Sequence, residues 1–219
     1  MNWETVVRRD VVWDELEALQ VALVREVQND KSKAYLLISE PKPTFTHGRN
    51  SDPKDLRWTE AQIRQHQVKV TCVSRGGKWT FHGPGQILIY PIIHLPSWGY
   101  SSKSVRAFLN DFRKAVVKAI ENLESLPVRE GEPFGIYINE KKLASFGLAF
   151  EKSVSSHGMA LYLTNQSPFF EGINPCGVST GVSTCLNENL SEPRSWDSVA
   201  YLVAASIKNH FSFRLSQVL

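Results

Sequence analysis

Arg75-Gly76-Gly77-Lys78-Trp79-Thr80-Phe81-His82-Gly83-Pro84-Gly85-Gln86 joins two apolar runs, Val68–Ser74 and Ile87–Leu95. It holds four glycines, a proline, a histidine and an arginine. Glycine allows positive φ and lets a ligand approach the main chain. A glycine-rich loop held between strands is a common place for a binding site, although a plain hairpin connection can look similar. The apolar runs on either side fix the loop to a sheet, so the fold must contain strands here.

Working outward, Trp13, Leu16, Leu19, Leu23 and Val27 recur at helical spacing and predict an amphipathic helix ending near Asp30. Ala34–Glu40 reads as a strand, followed by a polar, Pro-rich loop over Pro41–Pro53. Thr59-x-x-Gln62 has the form of a capping box opening a short helix to about His66. Val105, Phe108, Leu109, Phe112, Val116, Ala119, Ile120 and Leu123 form the clearest stripe, a long helix with one buried face. Phe134–Asn139 and Lys142–Phe150 predict a hairpin turning at Asn139–Lys141, and Val154–Thr164 a further strand. Ser167–Leu190 reads as irregular, and a last helix starts near Ser195. Helices mixed with strands on short turns give an α+β class, with a mixed or antiparallel sheet and helices on one face. No internal repeat or linker divides the 219 residues, so a single domain over residues 1–219 is expected.

The net charge of +3 is too weak to argue for nucleic-acid binding, but it suits an acidic protein partner. The N-terminal MNWETVVRRD lacks the apolar core of a signal peptide, and no run approaches the ~20 apolar residues of a membrane span. A cytoplasmic chain without membrane contact is therefore expected. Three cysteines, with no CxxC pair, make a disulfide framework or zinc site improbable. Cys72 falls on the apolar phase of Val68-x-Val70-x-Cys72 and is expected in the core; Cys185 is expected to be structural.

Lys142-Leu143-Ala144-Ser145-Phe146-Gly147, Ser156-His157-Gly158-Met159-Ala160-Leu161 and Asn174-Pro175-Cys176-Gly177 follow the glycine loop in that order. Together, RGGxxTFHGPGQ, KLASFG, HGMAL and PCG resemble the motifs of the octanoyl-[acyl carrier protein]:protein octanoyltransferases, within the biotin/lipoate protein ligase superfamily. The resemblance runs from about Val11 to Leu186. It implies the biotin/lipoate ligase type of fold, with Cys176 as nucleophile and Lys142 as its partner. It implies acyl-substrate contacts from Arg75, Gly76, Gly77, Lys78, Trp79, Thr80, Phe81 and His82, from Ser145, Phe146 and Gly147, and from Gly158, Met159 and Ala160. The donor implied is octanoyl-acyl carrier protein. The acceptors implied are lipoyl domains of 2-oxoacid dehydrogenase E2 subunits and the glycine cleavage H protein. No cofactor or metal is expected.

The chemistry of these residues is coherent with that. A free thiol of pKa about 8.5 is mostly protonated at neutral pH, and a nearby ammonium favours the reactive thiolate. Proline and glycine around Cys176 suit a tight turn with free backbone N–H groups. An anonymous lysine is ordinarily solvated and a loop cysteine ordinarily buried; only the motifs single these two out, and they select Lys142 over Lys141. Alternation then sends Lys141 to the opposite, solvent-facing side. His82 and His157 are expected to shape the pocket or to hydrogen-bond near the reacting carbonyl. His47, His66, His94 and His210 have no ligand-like spacing. His94 and Gly181-Val182-Ser183-Thr184 depart from the usual pattern, which leaves fine specificity open. Two other readings stay in view: an ATP-dependent lipoate or biotin ligase of the same fold, and a non-catalytic acyl-protein binding module. GGKW does not fit the phosphate loop G-x-x-x-x-G-K-[ST].

Overall fold

A computed structural model describes residues 2–75, 77–101, 104–132, 134–174 and 183–217. Its centre is a seven-stranded sheet that runs, edge to edge, β1 (Asn2–Val11), β2 (Lys33–Pro41), β6 (Gln86–Ile92), β10 (Val154–Tyr162), β9 (Lys141–Glu151), β8 (Gly135–Ile138) and β7 (Val128–Gly131). β1 and β2 are parallel, and the remaining pairs are antiparallel. A second, three-stranded sheet orders β4 (Lys69–Val73), β3 (Thr44–Gly48) and β5 (Thr80–His82). The α+β class with mixed sheets is the one expected.

β6 is buried along its whole length, which explains its continuous apolar run. On one face Ile87 and Ile89 join Met159 and Leu161 against α3 (Val105–Glu121) and α5 (Trp196–Ser216). The expected stripe of α3 supplies Phe108, Phe112, Ala115, Val116, Ala119 and Ile120 to this core. Leu88 and Tyr90 face the other way, joining Ala160 and Tyr162 under Trp13, Leu16, Leu23 and Val27 of α1 (Trp13–Asn29). The helices therefore cover both faces of the large sheet, not one as expected. The reason is that β6 and β10 carry apolar residues in both phases, and each phase needs its own cover.

Two of the hairpin turns use left-handed residues. Asn139 and Glu140 (φ 46° and 64°) join β8 to β9 where expected, and Lys152 and Ser153 (φ 49° and 65°) join β9 to β10. The capping box forms at α2 (Glu60–Gln65): Thr59 Oγ1 accepts from the Gln62 N–H, and Gln62 Oε1 from the Thr59 N–H.

Several elements differ from expectation. β1 is an edge strand, so it needs only one neighbour and tolerates the charges of NWETVVRRDV. The Pro-rich stretch holds β3, whose Phe45 and Thr46 are fully buried. The irregular stretch holds a short helix, α4 (Ser167–Phe170). Cys72 is exposed, not in the core. β4 is the edge of the small sheet, and its Val70–Cys72 phase faces outward while Val73 points in. Cys185 is buried as expected, and burial raises its thiol to a pKa of about 11.

Phe108 is fully buried between the helices and the sheet, whereas Tyr201 on α5 is 79% exposed. Phe108→Ala should lower the unfolding free energy by about 3–5 kcal/mol in urea titrations, and Tyr201→Ala by less than about 0.5 kcal/mol. Equal effects would contradict this placement of the core.

Candidate active site

Two departures from regular strand geometry build one face of the site. On an unbroken strand, Lys142 and Ser145 would point to opposite faces, because three positions separate them. The β8–β9 register shifts between Ile136 and Tyr137: Gly135 opposes Ser145 and Ile136 opposes Ala144, but Tyr137 opposes Lys142. Leu143 is the extra residue of this bulge, and both Leu143 and Ala144 enter the helix-side core. Lys142 is thereby moved onto the face of Ser145 and Tyr162, whose hydroxyls are 2.5 Å apart. Its stem runs beside Gly135, where a Cβ would stand 3.0 Å from Lys142 Cε and 2.9 Å from the Ala144 carbonyl oxygen. The Lys142 ammonium lies 5.4 Å from the centroid of the Tyr137 ring. Lys141 is exposed, as alternation predicts.

The second departure is His157. With φ of 56°, it is a left-handed residue inside β10. The neighbouring strand has Pro91, which has no N–H to donate. Ser155 Oγ bridges the interruption, donating to the Pro91 carbonyl at 2.6 Å and accepting from the Ile93 N–H at 3.0 Å. The His157 N–H leaves the sheet and donates to Gln20 Oε1 of α1 at 2.8 Å. Its imidazole comes to the α1 side, edge-on to Tyr90 with centroids 5.7 Å apart, while Met159 and Leu161 point to the helix-side core. A side chain at Gly158 would overlap the Ile89 carbonyl oxygen, so the strand's close approach here requires glycine.

Arg75 ties the glycine loop to the small sheet. Its guanidinium donates to the Thr46 carbonyl (3.0 Å), Thr46 Oγ1 (2.6 Å) and the Lys78 carbonyl (3.1 Å). Burial, reinforced by this cation, holds both nearby imidazoles neutral: the His82 pKa falls to about 3 and that of His157 to about 4. His82 stacks on Trp13 at 5.1 Å, with Nδ1 3.3 Å from Gln86 Oε1. The Gly83–Gln86 turn is held from outside by Glu40, which accepts the Gly85 N–H at 2.9 Å and pairs with Arg9 at 2.8 Å. A cavity of about 300 Å³ opens between Gly48, Arg49 and Asn50 on one side and Ser74, Arg75 and Gly77 on the other.

Among the expected substrate residues, Arg75 and Gly77 line this cavity. Lys78 is exposed at its edge of the loop, and Trp79 is buried, stacked on His47 at 4.4 Å. Thr80, Phe81 and His82 form β5; Phe81 stacks on Phe169 at 4.2 Å in the core of the small sheet. Ser145 lies on the Lys142 face and Ala160 in the α1-side core, while Gly147 and Gly158 oppose each other across β9–β10. Phe146 and Met159 lie on the opposite face, Phe146 against Phe112 and Met159 in the helix-side core. Gly76 and Pro175-Cys176-Gly177 lie outside the described residues. On either side of the latter stretch, Asn174 donates from its backbone and side chain to Asp55 (2.7 and 2.9 Å), and the Thr184 N–H donates to the Lys142 carbonyl at 3.0 Å. Sequence reading missed Gln20, Glu40, Ser74 and Tyr162. Gln20 carried a signal: a polar residue in the buried stripe of α1, one position after Leu19 and three before Leu23. Among the described residues, no group of His, Cys, Asp and Glu side chains is arranged to hold a metal.

The two neutral histidines make stability depend on pH. Their folded pKa values lie below the unfolded value of 6.5, so the unfolded chain binds more protons as pH falls. Their contribution is complete above pH 6.5 and is lost down to about pH 4 for His157 and about pH 3 for His82. Between pH 6 and pH 4.5 each should cost roughly 1.4 kcal/mol per pH unit. Urea titrations of the protein and of His157→Asn should diverge in that window, and imidazole resonances should stay neutral at pH 5.5. A protonated His82 or His157 at that pH would contradict the burial argument.

Comparisons with known proteins agree with this architecture. An octanoyltransferase of Alkaliphilus metalliredigens is 28% identical over 196 residues, covering 89% of this chain and 88% of that protein. An octanoyltransferase of Desulforamulus reducens is 28% identical over 201 residues, covering 91% and 86%. Among solved structures, lipoate-protein ligase A bound with ATP superposes with a TM-score of 0.72 at 13% identity, covering 99% of this chain and 86% of that one. A bipartite lipoate protein ligase of Thermoplasma acidophilum gives 0.68 at 14% identity, covering 98% and 85%. These last two share the fold. The model of the lipoyl protein ligase A/B catalytic domain matches residues 15–208, and the chain belongs to that family.

Proposed function

We propose that this protein transfers an octanoyl group from octanoyl-acyl carrier protein to a lysine of a lipoyl domain, through a thioester on Cys176. The observation that carries the reading is the β9 bulge, which turns Lys142 onto the Ser145–Tyr162 face, next to the Thr184 amide that follows residues 175–182. The names of the two relatives above point to the same acyl group.

In this reading the Cys176 proton passes to the Lys142 amine, and the thiolate attacks the donor's thioester carbonyl carbon. The tetrahedral intermediate collapses with cleavage of the bond to the pantetheine sulfur, which takes the proton back from Lys142. In the second half, Lys142 accepts a proton from the attacking lysine amine of the lipoyl domain. The amide forms, and Cys176 leaves as a thiolate. A thioester is already activated relative to an amide, so no nucleotide is consumed. Arg75 gives the cavity lining a positive charge that suits a developing oxyanion. Phosphate activation on the same fold is the second reading, favoured by the superposition on an ATP-bound ligase.

Intact-mass measurement after mixing with octanoyl-acyl carrier protein should show one octanoyl unit, removable by hydroxylamine and absent in Cys176→Ser. Lys142→Met should slow transfer by about 10²–10⁴-fold, as expected for loss of a general acid–base group, while Lys141→Ala stays near wild type. The Lys142→Met variant should also need higher pH for alkylation of Cys176 by iodoacetamide. Modification of the lipoyl domain only with ATP and free octanoate would refute this reading and assign the chain to the ligase chemistry.

A further inference from the structure

Gln20 is a buried polar side chain, 4% exposed, on a helix face otherwise made of Trp13, Leu16, Leu23 and Val27. Its amide oxygen receives the one backbone N–H that β10 turns out of the sheet, that of His157. His157 is itself 2% exposed, and its Nδ1 has no hydrogen-bond partner among the described residues. Its Nε2 lies 3.4 Å from Ser74 Oγ, and Ser74 lines the cavity. The fold thus holds a strained residue, keeps hydrogen-bonding capacity on its ring unused, and sets the ring behind the cavity wall. Unrelieved left-handed backbone at a non-glycine residue persists where the surroundings over-determine it, and such sites cluster at ligand contacts.

We infer that Gln20 is a positioning residue of this site: by capturing the His157 N–H it fixes the left-handed turn that swings the imidazole from the helix-side core to the Ser74 wall of the cavity. There the ring backs Ser74, whose hydroxyl on the cavity wall faces the polar end of the acylated arm, an amide or thioester carbonyl. Without the Gln20 carbonyl, the His157 N–H has no acceptor in its present direction. The strand then relaxes toward ordinary alternation, which would send residue 157 to the face of Met159 and Leu161. The inference rests on the reading of the cavity as an acyl-donor site.

A double-mutant cycle tests it. Gln20→Met and His157→Gly, the latter free of backbone strain, should each lower kcat/KM for octanoyl transfer by about tenfold or more, and the double variant should fall no further than the worse single one. Gln20→Glu, which keeps the acceptor, should stay within about threefold of wild type. The His157 amide should exchange with deuterium slowly in wild type and Gln20→Glu, and much faster in Gln20→Met. If Gln20→Met does not fold, Gln20→Asn, one methylene short of the N–H, takes its place in both measurements. An unchanged kcat/KM in the folded Gln20 variant, or losses that multiply in the double variant, would overturn the inference. Binding of a non-transferable octanoyl-pantetheine amide supplies the same cycle without turnover. Coupling in that binding, from a wild type that transfers nothing, would overturn the transfer reading and sustain the role of Gln20.

Discussion

β6 and β10 lie in the middle of the large sheet with protein on both faces, so every side chain they carry is committed to one of two cores. A strand in that position has no solvent-facing phase in which to place a functional group, and alternation leaves only two directions. The sheet meets this constraint by breaking alternation twice, once in β10 itself and once in β9 beside it. The bulge at Leu143 moves Lys142 across the sheet, and the left-handed His157 moves an imidazole the same way. The left-handed break costs about 1–3 kcal/mol of stability at a non-glycine residue such as His157, and the bulge leaves Leu143 unpaired. Each is pinned by groups that do nothing else obvious for the core: Gly135 beside the Lys142 stem, and Ser155 and Gln20 around His157. Irregularity here is the means by which a two-sided sheet carries chemistry.

Electrostatics follow from the same burial. Two buried imidazoles near a half-buried cation are tolerable only if the rings stay neutral, and desolvation and Arg75 act in the same direction to keep them so. Arg75 in turn spends its donors on the Thr46 and Lys78 carbonyls, which locks the small sheet to the glycine loop. One guanidinium therefore helps fix the loop's shape and adds to the burial that keeps its neighbours neutral. Glu40 completes the arrangement from the far side, balancing Arg9 while accepting the Gly85 N–H of the turn that follows His82.

The parts legible in the sequence were those governed by one period. The α3 stripe, the capping box at Thr59 and the left-handed turn at Asn139 each obey a local rule, and each forms where that rule puts it. Rules failed where a second surface decided the outcome. Cys72 sits on an apolar phase, but β4 is an edge strand whose outer phase meets solvent. β1 reads as polar because an edge strand with a single neighbour can afford to be. The helices divide between two faces because β6 is apolar in both phases, a property of the run Gln86–Ile92 that alternation cannot parse. For the site, the motifs identified Lys142 and Arg75, but the direction of Lys142 depends on a bulge set by β8, a partner strand that the local pattern does not reveal. Phe146 and Met159 fall inside the same motifs as Ser145 and Ala160, yet neighbours along a strand face opposite ways, and these two lie toward the helix-side core.

Fold and chemistry separate cleanly in this family. Structures that superpose on the chain at 13–14% identity carry ligase names, and one of them binds ATP, while relatives at 28% identity over most of the chain carry octanoyltransferase names. One scaffold thus accommodates an acyl group activated by a nucleotide and one delivered already activated, and the scaffold alone does not choose. What separates them is how the leaving group is handled. A phosphate-activated acyl group brings its own anionic leaving group and needs cations held ready for it. A thioester needs a second sulfur that can form and release the same bond at little change in free energy. On the proposed reading the difference comes down to one thiol, Cys176, a single side-chain change in the sequence that leaves the motifs of the scaffold as they are.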